Sequence, residues 1–226
     1  MAVVAVVVEK MMRPVVCMIT APISAAAFAE EALVQRIGAA ARAGTHLIQI
    51  RQPQFEGLAF MRLVQRALEA IEGAAARLLV NDRVDVALAA GAHGVHLRGD
   101  SMTAARVRTI APPGFVIGRS VHSVAEALEV EREGALDYLL FGTVYTSASK
   151  PGAAPAGVEA LARACGAVAL PVLAIGGMTA STLAPVARAG AAGFAAIGLF
   201  ADAAVDAMPQ EVQQARSAFD TPVRVP

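Results

Sequence analysis

The stretch PVLAIGGMTASTLAPVARAGAAGFAAIGLF (171–200) decides how the rest of the chain reads. PVLAIGG (171–177) is a short apolar run closed by two glycines, and it reads as a strand. TASTLAPVARAG (179–190) reads as a helix, with Thr179 placed to cap it. GFAAIG (193–198) is a second strand, and a last helix is expected near 200–218. Gly176, Gly177 and Gly198 let a backbone approach a ligand closely. Glycine turns after the last two strands of an eight-unit array occupy the usual phosphate corner of a closed (β/α)₈ barrel.

The same alternation runs back toward the N-terminus. Strands are expected at PVVCMIT (14–20), HLIQIR (46–51), ARLLVN (76–81), GVHLR (94–98), FVIGRS (115–120) and DYLLFG (137–142). Helices are expected at 25–44, 58–73, 83–91, 103–109, 123–133 and 157–165, with Ser123 as an N-cap. Strands separated by helices imply a parallel sheet, and eight such units imply a (β/α)₈ TIM barrel. The rival is an open, doubly wound sheet; the position of the glycine turns favours the barrel. The barrel domain is expected over 14–220, with 1–13 as a short N-terminal extension. The long polar loop TVYTSASKPGAAPAG (143–157) is a candidate lid.

The apolar fraction is 56%, above the usual ~45–50%, so the chain can fill a large core. Lys+Arg and Asp+Glu both number 19, which gives no field for nucleic acid or an anionic membrane. Any anion recognition has to be local. Cys17 and Cys165 have no metal-ligand spacing and make no disulfide framework, so a reducing cytoplasm is the expected location. The apolar run in MAVVAVVVEK falls far short of the ~20 residues of a membrane span, and no signal peptide is expected there. Nothing in the composition decides for or against a homo-oligomer.

Chemistry in a barrel sits at the C-terminal ends of the strands. His46 and His93 stand at strand starts, where a structural role is expected. His96 lies late in the fourth strand and suits either role. His122 follows the fifth strand, and its ordinary pKa near 6.5 makes it the natural acid–base candidate; the plainer reading is a cap of the next helix or a partner of a serine hydroxyl. Gln49 and Arg51 share one side of the second strand near its top, where an Arg can grip a phosphate or carboxylate. Asn81 and Asp82 end the third strand; Asp82 reaches the mouth or caps the following helix. Ser120 and His122 share a direction with Gly118. Ser147, Ser149 and Lys150 suit an anion. Gly176, Gly177, Ile197 and Gly198 form the expected phosphate corner.

The ordered stretches LIQIR, LLVNDRVDVALAAGAHGVHL, GRSVHS, DYLLFGTVY, PVLAIGGMT and GAAGFAAIGLF resemble the thiamine-phosphate synthase/TenI superfamily over roughly residues 14–200. The resemblance implies the barrel and a small phosphorylated thiazole as substrate. Synthases of this superfamily join an aminopyrimidine diphosphate to a thiazole phosphate with Mg²⁺. TenI-type members are metal-free thiazole tautomerases. Where a synthase typically carries Q-x-R-x-K, this chain has QIRQP, with Pro53 in the Lys position. Where a synthase carries a second Asp after strand four, RGDSM places Ser101, with Asp100 one position early. A departing diphosphate needs its charge neutralised, so these two differences lead to a TenI-like tautomerase as the expected function. The resemblance then makes His122 the acid–base group, with no metal or other cofactor. The alternative is a thiamine-phosphate synthase in which Asp82 holds Mg²⁺. A third reading is a non-catalytic, regulatory protein that keeps the phosphate pocket.

Overall fold

The computed structural model describes residues 13–24, 26–147, 152 and 154–220. In chain order the elements are β1 (Val15–Ile19), α1 (Ala27–Arg42), β2 (Leu47–Ile50), α2 (Gly57–Ala70), β3 (Arg77–Asn81), α3 (Val84–Ala90), β4 (Gly94–Leu97), α4 (Ala104–Ile110), β5 (Val116–Val121), α5 (Val124–Glu133), β6 (Tyr138–Gly142), α6 (Gly157–Ala167), β7 (Val172–Ile175), α7 (Ala180–Arg188), β8 (Gly193–Ala196), α8 (Gly198–Ala201) and α9 (Met208–Asp220). All eight strands are parallel, and β1 pairs with both β2 and β8, so the sheet closes. The (β/α)₈ barrel is present and the open sheet is excluded. Of the expected N-terminal extension, residues 1–12 lie outside the described residues.

Strand periodicity sorts the side chains into two cores. Cys17, Ile19, Leu47, Leu79, Val116, Tyr138, Leu140 and Leu173 fill the barrel interior. Their neighbours Met18, Ile48, Ile50, Leu78, Val80, Ile117, Leu139 and Phe141 face outward and pack under the helices. Both faces are buried, which explains the near-continuous apolar strands.

His46 and His93 do sit at the barrel bottom: the His46 Nδ1 accepts from the Val16 N–H at 3.1 Å, and the His93 Nδ1 accepts from the Leu78 N–H at 3.0 Å. Each ring closes a strand start that the ladder leaves unpaired. The single terminal helix expected near 200–218 is instead two, α8 and α9. Arg36 on α1 ends α8, because its guanidinium donates to the carbonyls of Phe200 at 2.7 Å and Ala203 at 2.5 Å.

Asp137 fastens the start of β6. Its carboxylate accepts from the Ile117 N–H at 2.7 Å and from Arg108 at 2.9 Å, and Arg108 also takes the carbonyls of Phe115 and Ala135. Arg108→Ala strands a carboxylate that is 1% exposed. Removing one partner of a buried pair is worth ~3–5 kcal/mol; the half-buried Arg108 places the expected loss at the lower end, read from urea unfolding. A loss below about 1 kcal/mol would mean that water takes over the pairing.

Candidate active site

The barrel mouth gathers the inward-facing top positions of successive strands: Gln49, Asn81, Ser120, Gly142, Ile175 and Ile197. Gln49 is 1% exposed, and its Nε2 has no hydrogen-bond partner among the described residues. A buried donor without an acceptor is uncommon in a folded protein, so this amide is suited to a ligand atom. Arg51, two residues on, is exposed beyond the strand end. Its backbone is fixed, because its N–H donates to Thr20 Oγ1 at 2.9 Å. The neighbouring Gln52, missed by sequence reasoning, is buried. It ties the β2 loop to the β1 loop through Thr20 Oγ1 at 3.0 Å and the Ala21 carbonyl at 2.7 Å.

Asp82 does not cap α3, whose N-cap is Arg83 with no side-chain cap bond. It sits at φ 64°, a conformation rarely adopted by residues other than glycine. That turn directs the carboxylate toward the loop after β4, where Ser101 Oγ hydrogen-bonds it and Arg98 lies 3.6 Å away. Arg98 also pairs with Asp100 at 2.8 Å. The same loop is held from below by Arg119, which is 7% exposed and donates to the Gly99 carbonyl at 2.8 Å. Its outward position on β5 is the one signal that could have found it in the sequence.

Three chemically active residues meet on β4, β5 and β6. His96 is buried, with Nε2 2.8 Å from Ser120 Oγ and Nδ1 2.9 Å from the Tyr138 hydroxyl. Burial pushes the His96 imidazole down to about 3, and the Arg119 charge acts in the same direction. His122 lies apart from this group. It is exposed, its Nδ1 hydrogen-bonds the Gly142 carbonyl, and its backbone N–H donates to Glu126 Oε2 at 2.8 Å. Ser123 Oγ accepts from the Glu126 N–H, so the turn after β5 caps α5.

At the opposite side of the mouth is a cavity of about 780 Å³ lined by Gly176, Gly177, Ile197 and Gly198, with Asp202 and Glu211 also on its wall. Gly176 and Gly177 have φ of 101° and 65°. Their lack of a side chain serves a neighbour as much as a ligand. A Cβ on Gly176 would meet Thr143 Cγ2 at 2.5 Å, and one on Gly177 would meet the Thr146 carbonyl oxygen at 2.7 Å. The N–H groups of Gly198 and Leu199 make no hydrogen bond among the described residues. Ser149 and Lys150 lie outside the described residues.

Among the described residues no group of three or more His, Cys, Asp or Glu is placed to hold a metal ion, and no helix is long and apolar enough to cross a membrane.

The family described as thiamine monophosphate synthase matches residues 16–200. A thiamine-phosphate synthase of Methanoculleus marisnigri is 43% identical over 159 residues, 70% of this chain and 75% of the relative. One of Chlorobium luteolum is 38% identical over 185 residues, 81% and 84% of the two chains. The solved structure of a thiamine phosphate pyrophosphorylase from Pyrococcus furiosus superposes with a TM-score of 0.77 at 28% identity, covering 91% of this chain and 96% of the other. These relatives overturn the expectation of a TenI-like tautomerase, and with it the isomerase class; they stand with the synthase alternative. The chain belongs to the thiamine-phosphate synthase/TenI superfamily.

Proposed function

We propose that this protein is a thiamine-phosphate synthase. It joins an aminopyrimidine diphosphate to a thiazole phosphate and releases pyrophosphate, acting as a transferase on small phosphorylated molecules. The observation that carries the reading is the match to synthases across residues 16–200, which span every strand and turn of the mouth.

Each part of the mouth has a task in that reaction. The unpaired Gln49 amide donates to an acceptor atom of the buried heterocycle. Arg51 is the only cation between β2 and α2, since residue 53 is Pro, and it faces the diphosphate. Asn81 and Ser120 line the floor beneath it, and Lys150 adds a further cation in the reading that the resemblance supports, with Ser149 beside it. The thiazole phosphate takes the glycine end of the cavity, at the N–H groups of Gly198 and Leu199.

The residues present fit a magnesium ion. Asp82 and Ser101 offer hard oxygen atoms side by side, and Mg²⁺ is commonly held by one or two carboxylates together with substrate phosphates and water. Asp82 would hold it, and when bound it supplies positive charge to the departing diphosphate. Arg51, at the end of the neighbouring strand, neutralises part of the same charge.

The test offers purified protein aminopyrimidine diphosphate, thiazole phosphate and Mg²⁺, and measures thiamine phosphate and pyrophosphate. Both products are expected, and chelation of the metal is expected to stop their formation. Folded protein that binds both substrates and forms neither product would overturn the assignment.

The Arg36 clamp gives a separate expectation. Arg36→Ala removes two charge-assisted hydrogen bonds from the end of α8, each worth ~1.5–3 kcal/mol before solvent replaces part of them. The helix then loses its fixed position, and inorganic phosphate is expected to bind several-fold more weakly by calorimetry. Unchanged phosphate affinity would show that Gly198 and Leu199 hold their place without the clamp.

A further inference from the structure

The geometry points to Tyr138 and His96 as positioning residues: together they set the Ser120 hydroxyl as a hydrogen-bond donor to an anionic oxygen of the ligand. The inference rests on the synthase reading for the identity of the anion, but the hydrogen-bond order can be tested in the ligand-free protein.

The arrangement follows from a gap in β5. His96 on β4 pairs with Gly118 on β5, and Gly118 pairs with Tyr138 on β6. All three face the barrel interior. Gly118 has no side chain, so the Tyr138 ring lies across its backbone and reaches His96 two strands away. Ring centroids of His96 and Tyr138 are 5.6 Å apart. Ser120, the next inward residue above Gly118, meets the other nitrogen of the same imidazole.

Proton positions in this chain are interdependent. The imidazole is 1% exposed and its two nitrogens meet hydroxyl groups rather than carboxylates, so it is neutral: one nitrogen carries hydrogen and the other accepts. In one order, Tyr138 O–H donates to Nδ1, and Nε2–H donates to Ser120 Oγ. Every hydrogen of the buried pair then has an acceptor, and the Ser120 hydroxyl hydrogen is left for the mouth. In the other order, Nδ1–H donates to the Tyr138 oxygen, and Ser120 donates to Nε2. The Tyr138 hydroxyl hydrogen then has no acceptor, because His96 is its only hydrogen-bond partner among the described residues and the residue is 0% exposed. A buried unsatisfied donor costs about 1–3 kcal/mol, which selects the first order. Ser120 is half-buried at the floor of the mouth. With its oxygen already accepting from His96, it presents hydrogen to the ligand rather than a lone pair. That polarity suits a phosphate oxygen and opposes a role for Ser120 as a nucleophile activated by His96.

The test has two readings on the full chain. Long-range ¹H–¹⁵N spectra of histidine-labelled protein without ligand report the His96 tautomer, and the Nε2–H form is expected. A dominant Nδ1–H form would overturn the inference. The second reading is the affinity for inorganic pyrophosphate of Ser120→Ala, Tyr138→Phe and the double variant. Ser120→Ala loses a hydrogen bond to a charged group, so about tenfold or more weaker binding is expected. Tyr138→Phe removes the group that selects the tautomer while keeping the ring. It is expected to weaken binding by less than Ser120→Ala, and the double variant to bind as Ser120→Ala does. Full additivity of the two substitutions would show that Tyr138 acts on binding independently of Ser120, and would overturn the relay. If pyrophosphate fails to bind the unmodified protein while the Nε2–H form is seen, the synthase reading fails and the hydrogen-bond order stands.

Discussion

Gly118→Ala is expected to leave little stably folded protein. A Cβ at this position would fall inside the Tyr138 ring, at its Cζ and Cε1 atoms. That ring cannot swing aside, because Tyr138 is 0% exposed in the filled barrel interior and its hydroxyl is held by His96. Nor can β5 retreat, since it is hydrogen-bonded on both sides to β4 and β6. Overpacking a tight core costs about 1–3 kcal/mol where side chains can adjust. Here neither partner gives way, so at least the upper end of that range is expected, a large part of a typical ~5–15 kcal/mol total. Urea unfolding of the purified variant measures it. Pairing the change with Tyr138→Leu vacates the contested space and is expected to recover part of the loss. A Gly118→Ala protein within about 1 kcal/mol of the parent would refute this packing account.

Acid is the second strong lever. The His96 imidazole binds a proton near pH 6.5 in the unfolded chain and near 3 in the folded one, because the barrel interior disfavours the charged form. Its folded pKa is lowered, so the stability it contributes is complete above pH 6.5 and declines as pH falls toward 3. Each pH unit within that window removes about 1.4 kcal/mol, which amounts to roughly 5 kcal/mol across the whole of it. Between pH 7 and pH 5 the His96 contribution falls by about 2 kcal/mol on the same relation. His46 and His93 are lowered in the same direction by their burial, with Arg216 and Arg77 adding to it, so they steepen the decline. Unfolding free energies at the two pH values are compared for the parent and His96→Gln. The variant is expected to lose about 2 kcal/mol less on acidification. Equal losses would mean that the folded barrel admits the proton at His96.

Pro53 and Ser101 amount to a missing cation and a missing metal ligand only when residue types are counted along the chain rather than as groups in space. Ser101 Oγ lies on the Asp82 carboxylate, and Arg51 supplies a cation to the same loop that carries Pro53. A magnesium ion that receives most of its oxygen atoms from a diphosphate asks little more of the protein.

The order of elements in the barrel, the bottom placement of His46 and His93 and the glycine corner after β7 and β8 were all legible in the sequence. They rest on local rules: a period of two in strands, helix caps, and the polarity of β/α units. Closure rests on the pairing of β1 with β8, a contact between the two ends of the array. What Asp82 touches, why Arg36 divides the last helix in two and which side chains meet His96 depended on the tertiary structure. The His96–Tyr138 contact joins residues 42 apart in sequence, across a strand where Gly118 presents nothing. Periodicity can say that three residues face inward. Only the closed barrel decides that a missing side chain on one strand becomes the space through which its two neighbours touch.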